Sequence, residues 1–127
     1  MVGYLLVTHG KIGSSLADCV YNIFNKKINR LDCISINPED ELKNKKLLIK
    51  EMINKNNLGE GVIIFTDIIG ATPCNILKEF IVKDKVEVLT GVNLAMLVKA
   101  QSCKGNNIKN IIQNCLEATE ENIIKIK

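Results

Sequence analysis

Gly3-Tyr4-Leu5-Leu6-Val7-Thr8-His9-Gly10 and Val62-Ile63-Ile64-Phe65-Thr66-Asp67-Ile68-Ile69-Gly70 decide how the rest of the chain is read. Each begins as a short apolar run without polar alternation, the pattern of a strand covered on both faces. Each then passes through a threonine to a chemically capable side chain and on to glycine. Working outward, Leu31–Ile36 (LDCISI) and Lys85–Thr90 (KVEVLT) mix polar residues into the run, as edge strands do. Helical patterns lie between these strands. Ile12, Leu16, Val20, Ile23 and Phe24 fall on one helical face, as do Ile76, Leu77, Phe80 and Ile81, and again Ile108, Ile111, Ile112, Cys115 and Leu116. Glu39–Asn54 is a more polar, charge-rich helix, with Asn37 as its N-cap and Pro38 at its first position. Thr72-Pro73 repeats that start signal for the third helix.

The order is therefore β-α-β-α-β-α-β-α-α, ending in a short candidate strand, Asn122–Lys127 (NIIKIK). Such alternation predicts an α/β fold with a mostly parallel sheet, helices on both faces and right-handed crossovers. With the continuous runs central and the mixed ones peripheral, the strand order is 2-1-3-4, a flavodoxin-like three-layer sandwich. The terminal segment alternates apolar and basic residues and follows closely on a helix. It is expected as an antiparallel edge strand, covering strand 4 of its own subunit or of a second one.

At 127 residues and 14.1 kDa the chain is read as a single domain, residues 1–127. Its 46% apolar and 24% charged content is that of an ordinary globular protein. A formal charge of +3, from scattered lysines, is too small to argue for nucleic acid. Only 4% of residues are aromatic and none is Trp, which speaks against base stacking and against a flavin site. The longest apolar run, Leu94–Val98, is far below the roughly 18 residues of a membrane span, and the first residues lack a signal-peptide pattern. No membrane insertion is expected, and the location is read as cytoplasmic. The five cysteines (Cys19, Cys33, Cys74, Cys103, Cys115) form no CxxC pair and have no histidine at zinc spacing. They are read as thiols of a reducing compartment, with Cys74 beside the motif that matters most.

Ligands of open parallel sheets bind beyond the carboxyl ends of the strands where the order reverses. Here that crevice lies between strands 1 and 3, and the residues leaving them are Thr8-His9-Gly10 and Thr66-Asp67-Ile68. The one histidine and an aspartate should face each other across it. A lone histidine often has a bland explanation as a loop or capping group, and Asp67 has one as an N-cap or turn residue. The topology favours a pair instead, in which the aspartate fixes the tautomer and leaves the other ring nitrogen nucleophilic. No serine sits in a nucleophile elbow, no second metal ligand accompanies His9, and there is neither a P-loop nor a GxGxxG. What accompanies the pair is anion-binding apparatus. Thr8 and Gly10 flank the histidine, and Gly70-Ala71-Thr72-Pro73 leads into a helix with a hydroxyl at its start. A second such turn, Gly91-Val92-Asn93, follows strand 4. A nucleophilic imidazole beside a phosphate cradle points to phosphoryl transfer onto the histidine.

Thr8-His9-Gly10, Asp67-Ile68-Ile69-Gly70-Ala71-Thr72-Pro73-Cys74-Asn75 and Gly91-Val92-Asn93-Leu94-Ala95-Met96-Leu97, in that order and at these intervals, resemble the IIA domain of the mannose-type bacterial sugar phosphotransferase system. The resemblance spans essentially the whole chain. It implies a cytoplasmic homodimer that takes phosphate from the histidine-containing phosphocarrier protein and passes it to a IIB domain, without metal or organic cofactor. The active histidine maps onto His9, attacking through Nε2, and the orienting aspartate onto Asp67. The hydroxyl beside the phosphoryl group, usually serine, maps onto Thr72, and the resemblance favours exchange of the terminal strand between subunits. Two departures stand at the partner-facing rim, where Ile69 and Ala71 replace a common aromatic residue and a second glycine. Three other readings compete: a phosphotransfer subunit serving a dihydroxyacetone kinase, a regulatory domain of a transcription activator, and a non-catalytic flavodoxin-like domain binding a small anion. The sugar itself is not written in this chain.

Overall fold

The computed structural model describes all 127 residues. The strands are β1 (Gly3–His9), β2 (Asp32–Ile36), β3 (Val62–Phe65) and β4 (Val86–Leu89). The helices are α1 (Ile12–Ile23), α2 (Leu42–Asn56), α3 (Thr72–Leu77), α4 (Leu94–Ser102) and α5 (Ile108–Glu121), with a 3-10 turn at Lys78–Phe80. The sheet is wholly parallel in the order β2-β1-β3-β4. The continuous apolar runs are indeed its centre. Every residue of β3 is buried, as is β1 up to Thr8, whereas the edge strands β2 and β4 are only partly so.

The alternation of β-strand side chains divides the core in two. Tyr4, Leu6, Ile63 and Phe65 pack with Val20, Leu97 and Ile111 under α1, α4 and α5. Leu5, Val7, Ile34, Ile36, Val62 and Ile64 pack with Ile49, Ile53, Ile76 and Leu77 under α2 and α3. Each such fully buried aliphatic side chain contributes about 1.5–3 kcal/mol of burial free energy.

Several elements differ from the sequence reading, each for a local reason. α2 starts at Leu42 because residues 37–40 close a turn instead. The Asn37 N–H donates to an Asp40 carboxylate oxygen at 2.7 Å and the Asp40 N–H to the Asn37 carbonyl at 3.1 Å. Asn37 therefore does not cap the helix, and Pro38 lies within the turn. α3 is capped by Ala71, so Thr72 is its first helical residue. The helix ends at Leu77 in the 3-10 turn, which leaves Ile81 47% exposed. On α1 the sheet-facing residues are Gly13, Ala17 and Val20, small enough for close packing, while Ile12 and Ile23 stay half-exposed.

The terminal segment forms no strand in the single chain, and Ile123, Ile124 and Ile126 are exposed. α5 runs to Glu121, and the Asn122 N–H and side-chain amide both donate to the Ala118 carbonyl. That extension consumes the connection on which an intramolecular strand depends. Descending roughly 10 Å from the helix layer to the sheet takes about three extended residues, and only five remain. The outer edge of β4 is met only at its start, where Val82 forms an antiparallel bridge to Val86.

Candidate active site

His9 is the last residue of β1, in register with Ile36 of β2, and Asp67 lies two residues beyond the end of β3. Strand order alone thus delivers both side chains to the crevice. One carboxylate oxygen of Asp67 accepts the His9 main-chain N–H at 3.0 Å and lies 2.7 Å from His9 Nδ1. The other accepts the Ile68 N–H at 3.0 Å. A carboxylate can only accept, so this pairing puts the ring proton on Nδ1 and leaves the lone pair on Nε2. The Asp67 side chain is 8% exposed and that of His9 45%, so the base is buried and the ring reaches solvent. Burial pushes the pKa of Asp67 upward, but the hydrogen bonds from His9 and Ile68 outweigh it. They hold the carboxyl below its ordinary value, ionised at neutral pH.

The loops behind the pair are braced by groups that the sequence reading assigned differently or passed over. Gly91 N–H donates to the Asp67 carbonyl at 2.9 Å and Val92 N–H to the Thr66 carbonyl at 3.0 Å. The Gly91-Val92-Asn93 turn therefore supports Asp67 from behind. Asn93 caps α4 through Met96 N–H at 2.9 Å, and its side-chain amide donates to the Thr119 hydroxyl at 3.1 Å. Thr8, read as a phosphate contact, is buried. Its hydroxyl accepts the Gly13 N–H at 2.8 Å, tying the first turn of α1 to β1. Glycine is required there, since a Cβ on Gly13 would lie 2.9 Å from that hydroxyl. Ser35, opposite Thr8 in the register, donates to the Gly10 carbonyl at 2.6 Å. Its only signal in the sequence was a hydroxyl on an edge strand beside the histidine's loop.

His9 and Thr72 line one cavity of about 360 Å³ with Ile36, Asn37, Pro38, Asp40 and Leu42. Reading residues 37–41 as a helix start hid this second wall. The Thr72 side chain is exposed in that cavity. Gly70, at φ +81°, has the left-handed conformation that favours glycine, and its carbonyl is held by the Asn75 side-chain amide at 3.0 Å. Ala71 sits at φ −81°, ψ 167°, so a side chain there is unstrained. Ile68 and Ile69, next along the chain from Asp67, are 61% and 76% exposed. Among the cysteines, Cys74 is buried behind the loop, and burial pushes the Cys115 thiol up to about 12. No His, Cys, Asp and Glu cluster could hold a metal ion. No helix is long and apolar enough to cross a membrane.

The fold is shared with solved structures of known proteins. The mannose/sorbose-specific IIA subunit of the phosphotransferase system from Enterococcus faecalis superposes with a TM-score of 0.84 at 18% identity, covering 99% of this chain and 95% of that one. The phosphotransferase system component EIIA from Streptococcus agalactiae gives 0.83 at 18% identity, over 98% and 97%. A PTS IIA protein associated with the fucose utilization operon of Streptococcus pneumoniae gives 0.76 at 24% identity, over 93% of each chain. At these identities the likeness is one of fold. No curated protein matches the chain in sequence. The family described as PTS system fructose IIA component, by contrast, matches residues 3–122, nearly the whole length and every element of the site. The chain belongs to that family, the mannose-type IIA components of the sugar phosphotransferase system.

Proposed function

We propose that this protein is a cytoplasmic phosphoryl carrier. His9 accepts phosphate from the histidine-containing phosphocarrier protein and passes it to a IIB domain of the same system. The observation that carries this reading is the double acceptance by one Asp67 oxygen, of the His9 N–H and of its Nδ1–H, on a ring whose Nε2 has no partner in the protein. The Nε2 lone pair attacks the phosphorus of the donor's phosphohistidine. The donor's N–P bond breaks as the new one forms, and the donor's imidazole leaves with the electron pair. The His9 Nδ1 proton stays hydrogen-bonded to Asp67, whose negative charge balances the phosphorylated ring. Transfer to the IIB domain repeats the step with His9 as leaving group. A loose transition state needs alignment and charge stabilisation more than proton transfer, so the reading calls for neither a metal nor an organic cofactor.

Thr72 lines the same cavity as His9 and is assigned as a donor to the phosphoryl oxygens, with the backbone of Gly70 and Ala71 beside it. Thr72→Val keeps the shape and removes the hydroxyl. It should slow transfer about ten- to a thousandfold, up to the loss seen for single oxyanion donors. Rates from a quenched time course with the phosphocarrier protein test this, and an unchanged rate removes Thr72 from the site. The reading as a whole is tested by incubation with the two general phosphotransferase proteins and phosphoenolpyruvate, followed by intact mass. A gain of about 80 Da, one phosphoryl group, supports it, and an unmodified mass overturns it.

The dimer belongs to the same proposal. Three exposed isoleucines on the tail and an open β4 edge are together accounted for by exchange of residues 122–127 between two subunits related by a two-fold axis. Deleting residues 122–127 should convert a sedimenting dimer to monomer or aggregate. An unchanged dimer after deletion would show that the tail is not the exchanged strand.

A further inference from the structure

The loop after β2 forms a wall of the His9 cavity to which the phosphoryl chemistry has so far given no task. In the order β2-β1-β3, His9 ends the middle strand, Asn37 is the first residue after β2, and Thr72 follows β3. Loops from both neighbouring strands thus reach the cavity, and His9, Asn37 and Thr72 all line it. A phosphoryl group on Nε2 would bring negatively charged oxygens into this space, and those oxygens call for donors. The lining offers few. Ile36 and Leu42 have no polar side-chain atom, Pro38 lacks even a main-chain N–H, and the Asp40 carboxylate can only accept. No lysine or arginine lines the cavity. Lys45, on α2, lies 3.5 Å from the Asp40 carboxylate and is paired there. Apart from His9 itself, the Thr72 hydroxyl and the Asn37 amide are therefore the side chains of this cavity that can donate.

The turn that holds Asn37 leaves its amide free. An asparagine in a turn commonly engages nearby backbone with its own side chain. Here the Asp40 carboxylate takes that part. The Asn37 N–H donates to it at 2.7 Å, and the Asn37 carbonyl accepts the Asp40 N–H at 3.1 Å. Both main-chain groups of Asn37 are engaged by one residue, while neither atom of its side-chain amide has a partner in the protein. The residue is half-buried, so its backbone is fixed and only two side-chain torsions remain to be ordered by a ligand. We propose that Asn37 is a second donor to the phosphoryl group on His9, its amide N–H meeting an oxygen that Thr72 leaves free. This rests on the reading of His9 as phosphoryl acceptor. Asn37 takes no part in the bond changes: phosphorus passes from the donor's nitrogen to Nε2, and the amide keeps its protons throughout. A neutral donor suits a group that must leave again, because hydrogen bonds from a cation are roughly twice as strong and would hold the phosphoryl group back.

The test uses the full chain with Asn37→Leu, which removes the donor at similar size, and with Asn37→Asp, which keeps the shape and presents only acceptors. Neither change removes the main-chain bonds to Asp40, so both variants should melt near the wild-type temperature. Should Asn37→Leu melt early, Asn37→Asp carries the same comparison with a polar side chain. Each protein is labelled with phosphoramidate, a small donor that needs no docking surface, and followed by intact mass. Asn37→Leu should slow labelling about tenfold, less than the loss at a fully enclosed oxyanion donor because the residue is half-buried. Asn37→Asp should slow it further, since its charge opposes the incoming group. In the wild type, phosphorylation should move the Asn37 side-chain amide proton resonances downfield, which a merely structural role would not do. Labelling of both variants at the wild-type rate, or an unmoved amide resonance, overturns the proposal and leaves His9 as acceptor. So does a loss seen with the phosphocarrier protein and absent with phosphoramidate, which would make Asn37 a contact for the partner. No phosphate on His9 in the wild type removes the carrier reading and the role of Asn37 together.

Discussion

His9→Ala is expected to abolish the phosphoryl adduct completely, the largest effect any single substitution in this protein should have. His9 is the only histidine, so every acid-labile, base-stable phosphate must reside on it. The variant should still fold. The imidazole is 45% exposed, and the hydrogen bond from the main-chain N–H of residue 9 to Asp67 does not depend on the side chain. A neighbouring thiol offers the chief alternative acceptor, but Cys74 is buried behind the loop. Intact mass after incubation with the general phosphotransferase proteins and phosphoenolpyruvate should show a gain of about 80 Da in the wild type and none in the variant. An adduct that persists in the variant would sink the assignment of His9.

The pair was legible before any coordinates because its position follows from the sheet alone. Continuous apolar runs identify central strands, central strands set the 2-1-3-4 order, and that order places the residues after Thr8 and Thr66 at one crevice. Nothing finer than strand assignment enters that chain of inference. What stayed hidden depends on side-chain hydrogen bonds at a resolution of one or two residues. Asp40 turns back to the Asn37 N–H, and this moves the helix start and makes a cavity wall out of an expected cap. Thr8 and Ser35 look alike in the sequence as hydroxyls near the histidine. Both face structural partners, Gly13 N–H and the Gly10 carbonyl. The terminal strand was inferred from an alternating pattern, which reports that one face wants burial without reporting whose sheet supplies it. The departures at Ile69 and Ala71 divide in the same way. Ala71 occupies ordinary extended backbone, so its side chain leaves the loop intact, whereas Ile69 is 76% exposed and braces nothing.

Asp67→Asn should slow phosphoryl transfer by about 10²–10⁴-fold while the protein remains folded, in the manner of an asparagine replacing the buried aspartate of a histidine pair. The amide is isosteric, but a single Asp67 oxygen meets both the His9 N–H and Nδ1 while the other meets the Ile68 N–H, so the NH2 group of an asparagine must oppose a backbone donor in either orientation. Turned toward the ring, that NH2 group demands an acceptor at Nδ1. The ring answers by carrying its proton on Nε2, which removes the lone pair that attacks phosphorus. The loss should fall on the chemical step, with partner binding nearly unchanged, because the carboxylate is 8% exposed and cannot touch a docked protein extensively. Stability adds an independent check with a definite sign. The Asp67 pKa is lowered by folding, so its ionised form stabilises the protein at pH values above the ordinary aspartate range. That contribution is lost as pH falls through the lowered folded value. The wild type should therefore unfold at a higher temperature than the asparagine variant at pH 7, with the gap narrowing under acid. Transfer at the wild-type rate in the variant would show that Asp67 is only a loop residue, and that the tautomer of His9 is set by something else.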